Sequence, residues 1–271
     1  MPVARGDIAG KLPAITVGFW IMKVAATTLG ETLGDFLSKG PGDGGLGLGY
    51  MLASLLVLCI FLVTVVPQLL SRRYIPFLYW AVILSTSTAG TTMSDFMDRT
   101  LGLGYAAGSA LLVAILVCVL VAWRVAQGSI SVDSVRTVRA EVFYWSAILA
   151  SNTLGTALGD YLADEEQGPG LGFMGGAAVI GSVLLLIAGA YALLRVTRAS
   201  KPGLVVGLFW AAFVLTRPFG ATFGDVLARG RAEGGLGFGP AGSSAVLGAV
   251  LVAMILWASR AEARRDRGAQ V

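Results

Sequence analysis

Eight apolar stretches of about twenty residues constrain this chain more than any other feature: about 16–37, 46–66, 76–97, 101–123, 141–162, 171–194, 203–227 and 236–258. Twenty residues is the length a helix needs to cross a hydrocarbon core. In lipid the backbone must satisfy its own hydrogen bonds, so these stretches are expected to be helices. Composition agrees: 56% of the 271 residues are hydrophobic and only 13% are charged, about half what a soluble domain carries. The expected fold is an all-α membrane protein, a single transmembrane domain over 1–271. The segment before the first stretch reads as polar chain rather than a cleavable signal.

The stretches pair into four copies of one unit, at about 14–70, 74–126, 139–198 and 203–260. Asp35, Asp95, Asp160 and Asp225 mark the register, spaced 60, 65 and 65 residues apart. Fifteen residues before each stands Trp20, Trp80, Trp145 or Trp210, and five before each stands Gly30, Gly90, Gly155 or Gly220. After each comes a short loop and Leu-Gly: Leu46-Gly47, Leu101-Gly102, Leu171-Gly172 and Leu236-Gly237. Units of two spans all share one orientation, so the expected arrangement is four parallel repeats in a pseudo-fourfold bundle. The tryptophans are expected in an interfacial belt. The aspartates, about 22 Å of helix rise away, fall near the opposite edge of the hydrocarbon zone.

Charge distribution orients the chain. Of 20 Lys and Arg, 14 fall on the side of both termini (Arg5, Lys11, Arg72, Arg73, Arg124, Arg136, Arg139, Arg195, Arg198, Lys201, Arg260, Arg264, Arg265, Arg267). Four fall opposite (Lys39, Arg99, Arg229, Arg231), and Lys23 and Arg217 lie inside spans. The positive-inside rule places both termini in the cytoplasm, with membrane lipid as partner. Charges scattered through short loops do not build a nucleic-acid surface, and no oligomeric state is implied. With no histidine, zinc HExxH sites, Ser-His or Cys-His nucleophiles and His-ligated haem are excluded. Cys59 and Cys118 sit in apolar spans and read as buried small hydrophobes.

Chemistry concentrates in the first span of each unit. Four residues before the aspartates are Glu31, Thr91, Thr156 and Ala221; eight before are Thr27, Ser87, Asn152 and Arg217; seven before are Thr28, Thr88, Thr153 and Pro218. Lys23 stands twelve before. At helical spacing these form one polar stripe. Beside it run small pairs, Gly30/Gly34, Gly90/Ser94, Gly155/Gly159 and Gly220/Gly224, which let helices approach closely. The second spans carry no charge and read as lipid-facing walls.

Five embedded acids (Glu31, Asp35, Asp95, Asp160, Asp225) against two embedded bases (Lys23, Arg217) leave an excess of negative charge for protons or a bound cation to balance. Carboxylates and hydroxyls are hard ligands, so the four aspartates are also candidate ligands for a divalent metal such as Mn or Mg. Pro218 is expected to interrupt its helix beside Arg217, as in transporter binding sites. The expected function is a secondary transporter of a small, proton-coupled cation. Asp35, Asp95, Asp160, Asp225 and Glu31 would bind the ion or couple protons, supported by Thr27, Thr28, Ser87, Thr91, Asn152, Thr156, Lys23 and Arg217. The alternative is a non-catalytic membrane scaffold or binding protein. An enzyme is not expected: the Gly-x-Gly-Asp motif of intramembrane aspartyl proteases is absent, and no cofactor beyond a bound cation is implied.

The segments Thr32-Leu33-Gly34-Asp35 and Ala157-Leu158-Gly159-Asp160, each followed by Gly-rich turns, resemble a bacterial family of multi-pass "membrane-anchored" proteins of uncharacterised role. Copy two departs from the pattern with Met93-Ser94-Asp95. The resemblance spans essentially the whole chain. It implies a bacterial cytoplasmic membrane and carries no catalytic residues.

Overall fold

The apolar stretches form eight α-helices, with no strand among the described residues: α1 (Val17–Ser38), α2 (Gly49–Leu70), α3 (Pro76–Asp95), α4 (Tyr105–Gln127), α5 (Val138–Ala163), α6 (Gly172–Val196), α7 (Pro202–Ala228) and α8 (Gly239–Gly268). The computed structural model describes residues 12–71, 73–197 and 202–268, without the side chains of Arg195, Pro202 and 261–268. Arg5, Lys11, Arg72, Arg198 and Lys201 lie outside the described residues, as do the side chains of Arg195, Arg264, Arg265 and Arg267.

Local chemistry sets the helix ends. Thr16 caps α1 by accepting the Phe19 N–H at 3.3 Å, and Thr137 caps α5 by accepting the Ala140 N–H at 3.2 Å. Pro76 starts α3 at a position where a missing N–H costs nothing. The even helices α2, α4 and α8 begin three to four residues later than the apolar runs suggest. In those loops two glycines, two residues apart, both have positive φ: Gly47 and Gly49, Gly102 and Gly104, Gly237 and Gly239. A side chain there would be strained, so the hydrophobic residue between them belongs to the turn.

Five helices are long and apolar enough to cross a membrane: α2, α4, α6, α7 and α8. The even ones line the outside with exposed leucines, valines and isoleucines, such as Leu55, Val63, Ile115, Val117, Leu185 and Val250. Cys59 and Cys118 are exposed on that outer surface rather than buried, because they fall on the outward faces of α2 and α4. Helices α1, α3 and α5 have similar length, but their polar stripes lower their apolarity.

The four odd helices close into a ring, α1 against α3, α3 against α5, α5 against α7 and α7 against α1. Each even helix packs mainly on the odd helix that follows it in the chain: α2 on α3, α4 on α5, α6 on α7, and α8 back on α1. Glycine sets the spacing within the ring. A Cβ on Gly30 would stand 2.5 Å from Ser87 Cβ; on Gly90, 2.6 Å from the Asn152 carbonyl carbon; on Gly155, 2.5 Å from Arg217 Cβ; on Gly220, 2.5 Å from Thr27 Oγ1. The residue eight before each aspartate thus seats on the glycine of the neighbouring helix, four times around the ring. Small residues at this spacing give membrane helices their van der Waals contact.

Pro218 does not break α7, which runs continuously through it. Hydroxyls serve the carbonyls around it: Thr216 Oγ1 donates to Phe213 O at 2.7 Å and Thr27 Oγ1 to Thr216 O at 3.2 Å. Such neighbours are what lets a membrane helix tolerate proline.

Candidate functional site

Seen along the ring axis, equivalent residues of α1, α3, α5 and α7 form layers. The tryptophan end is aromatic. Trp80, Trp145 and Trp210 are buried rather than set in an interfacial belt, and only Trp20 is half-buried. Phe19 meets Trp80 with centroids 5.8 Å apart, Tyr79 meets Trp145 at 5.5 Å, and the Tyr79 and Tyr144 hydroxyls share a 2.7 Å hydrogen bond. Trp210 instead packs on Trp123 of α4, with centroids 5.8 Å apart, and its Nε1 donates to Ile130 O at 3.0 Å.

Next comes Lys23 with Ile83, Ile148 and Phe213, all fully buried. Lys23 Nζ stands 4.2 Å over the Phe213 ring. Among the described residues it finds no hydrogen-bond acceptor.

The following two layers hold the polar centre. Arg217, with no exposed surface, reaches across the axis from α7. Its Nη1 donates to Glu31 Oε2 at 3.1 Å and to Thr27 O at 3.2 Å. Its Nη2 donates to Ser87 O at 3.0 Å, Thr91 Oγ1 at 2.5 Å and Thr156 Oγ1 at 2.9 Å. The Thr91 and Thr156 hydroxyls donate in turn to Glu31 Oε2, both at 3.1 Å. One guanidinium and one carboxylate thus tie all four odd helices together. Asn152 Nδ2 donates sideways to Thr86 Oγ1 at 3.1 Å, and the Thr28 hydroxyl donates to its own helix at Val24 O.

The aspartates close the other end, 2–6% exposed and within a turn of their helix C-termini. The helix dipole disfavours a carboxylate there, and a cation one turn further offsets it. Lys39 Nζ lies 2.6 Å from Asp35, Arg99 Nε 2.8 Å from Asp95, and Arg229 Nε 2.8 Å from Asp225. In α5 the equivalent position is Asp164, whose carboxylate instead accepts the Glu166 and Gln167 N–H groups of the loop. Asp160 takes its cation from the neighbouring helix: Arg99 Nη2 lies 3.1 Å away.

Lys39, Arg99 and Arg229 correct the sequence-based charge balance. Counted as loop charges, they in fact reach back into the bundle, so five acids face five bases. The i,i+4 spacing was the signal that identifies them. Among the described residues no three His, Cys, Asp or Glu side chains come together in a way that could hold a metal ion, because the carboxylates turn to basic partners.

Within each end the charges do not cancel. At the aspartate end the four ring aspartates share three cations, and Asp98, also buried, accepts from the Ser94 hydroxyl; the centre has one carboxylate, Glu31, and two cations, Lys23 and Arg217. Comparison with curated proteins and with solved structures gives no match. Residues 18–74, 78–129, 143–197 and 208–264 match, as four tandem copies, the Repeat of Unknown Function (DUF347), and the chain belongs to that family.

Proposed function

We propose that this chain is a secondary transporter of a small monovalent cation, proton or alkali ion, built as four parallel two-helix units about a pseudo-fourfold axis. The observation that carries it is the sharing of Arg99 between Asp95 and Asp160. The four ring aspartates share three cations, so one carboxylate has no cation of its own, and a buried charge must be balanced or neutralised. A cation binding at Asp160 supplies the fourth counter-charge. Arg99 is one-third exposed, so it can withdraw to Asp95 as the ion enters and return as it leaves. The basic residues on the side of the termini support an orientation with both termini cytoplasmic. The Thr-Leu-Gly-Asp-like segments support a bacterial cytoplasmic membrane.

The hydrogen-bonded centre around Arg217 favours a second reading, a rigid membrane scaffold that moves no ion. Proteoliposome flux separates the two. Sodium, potassium and proton flux are measured for the wild type and for Asp35→Asn, Asp95→Asn, Asp160→Asn and Asp225→Asn. Asp160→Asn is expected to lower flux of the transported ion about tenfold or more, equivalent to about 1.4 kcal/mol. No flux in the wild type, or equal flux in all four variants, rejects transport and leaves the scaffold.

A further inference from the structure

We infer that a small monovalent anion binds at mid-depth in the ring, between Lys23 and Arg217, and travels with the cation. The inference rests on the transport reading and names a second part of its cargo.

Four buried polar atoms in the two layers of Lys23 and Arg217 have no hydrogen-bond partner among the described residues: Lys23 Nζ, Arg217 Nε, Ser87 Oγ and Asn152 Oδ1. They come from all four odd helices, one each, and every one of these residues is fully buried. A structural polar group at this depth is normally satisfied, since each unmade bond costs about 1–3 kcal/mol. The rest of the same network is saturated: Arg217 places five hydrogen bonds through its two Nη atoms. Buried atoms without partners occur elsewhere among the described residues too, but the only cationic ones are Lys23 Nζ and Arg217 Nε, in adjacent layers of the ring.

The orphaned set selects a ligand by charge. Lys23 Nζ and Arg217 Nε offer N–H donors on cations, and the Ser87 hydroxyl adds an O–H donor. Only Asn152 Oδ1 is an obligate acceptor, and it suits a second proton of the Lys23 ammonium. Glu31 is committed to Arg217, Thr91 and Thr156, and lies eight residues from Lys23, about 12 Å of helix rise. The four aspartates lie further still along the same axis. The Phe213 face attracts the ammonium, but this recovers only about 2 kcal/mol of a desolvation cost of several kcal/mol. One negative charge completes both the hydrogen bonding and the charge of this level.

The result is a division of labour along the axis. The four ring aspartates are one cation short and the centre is one negative charge short. A cation with an anion supplies both missing counter-charges together, and loading adds no net charge to the carrier. This removes the cost of moving a charge against the membrane potential, about 2.3 kcal/mol per 100 mV.

The test uses the full chain in nanodiscs, titrated with sodium acetate and with sodium chloride at constant ionic strength held by sodium gluconate, whose anion is too large for the site. Tryptophan fluorescence reports binding, because Trp80, Trp145 and Trp210 are packed beside the Lys23 layer. Saturable binding of acetate or chloride is expected. Lys23→Met should weaken it about tenfold or more, and Lys23→Arg should retain it. Ser87→Ala and Asn152→Leu, which keep both cations, should weaken it several-fold and cover the case in which Lys23→Met does not fold. Absence of saturable binding in the wild type, or unchanged affinity in Lys23→Met or in both polar variants, overturns the inference. Cation flux measured on the same protein keeps the two readings apart. Flux without anion binding overturns only the anion site, whereas anion binding without flux leaves the site standing and rejects transport.

Discussion

Arg217→Met should destabilise the chain by about 3–5 kcal/mol, read as a lower midpoint of helix loss when detergent-solubilised protein is titrated with SDS. The magnitude follows from what is left behind. The substitution removes all five Nη hydrogen bonds and leaves Glu31, 3% exposed, with a buried charge and only two threonine donors. Breaking a buried pair by deleting one partner costs far more than the pair contributes, because the survivor keeps its desolvation penalty. The double variant Glu31→Gln with Arg217→Met removes that survivor's charge and should recover at least half of the loss. Arg217→Lys should behave much more like methionine than like arginine. One ammonium cannot reach Glu31 on α1, Thr91 on α3 and Thr156 on α5 at once, whereas the planar fork does. Equal stability of Arg217→Met and wild type would mean that the network does not hold the ring together.

The number of helices and their approximate ends follow from the apolar runs, because run length and period are local properties. The layered register follows from the recurrence of Trp, Gly and Asp. Three features lie outside those runs and recurrences. Lys39, Arg99 and Arg229 look like loop charges because they stand just beyond the ends of α1, α3 and α7, where i,i+4 spacing turns each cation back toward its aspartate. The exception at α5 is legible only in three dimensions, since Asp160 borrows Arg99 from 61 residues away. The tryptophans carry the composition of an interfacial belt, yet Trp80, Trp145 and Trp210 are buried against Phe19, Tyr79 and Trp123 of other helices. Connectivity between layers is equally hidden. Nothing in the run of leucines along α2 says that it rests mainly on α3 rather than α1.

Gly90→Ala tests whether that close approach is what holds the ring. An added Cβ would stand 2.6 Å from the Asn152 carbonyl carbon and 2.8 Å from the Thr153 nitrogen, so the obstacle is backbone and no rotamer change relieves it. Helices α3 and α5 must separate. Intrinsic helix propensity alone would favour alanine by about 1 kcal/mol. Overpacking of this kind costs about 1–3 kcal/mol and more where the backbone cannot shift, so the clash should win. Separation would also stretch the 3.1 Å Asn152–Thr86 hydrogen bond and the 3.1 Å Arg99–Asp160 ion pair, both of which span the same two helices. The matched comparison is Gly189→Ala on the outward face of α6, where an added Cβ meets nothing within 4 Å. That variant should be neutral or more stable by up to about 1 kcal/mol, because only the propensity difference acts. The two substitutions are chemically identical, so a difference of about 2 kcal/mol or more in opposite directions isolates the cost of the α3–α5 contact. Equal and favourable effects at both positions would show that the ring tolerates a wider spacing and that its cohesion lies in the polar centre alone.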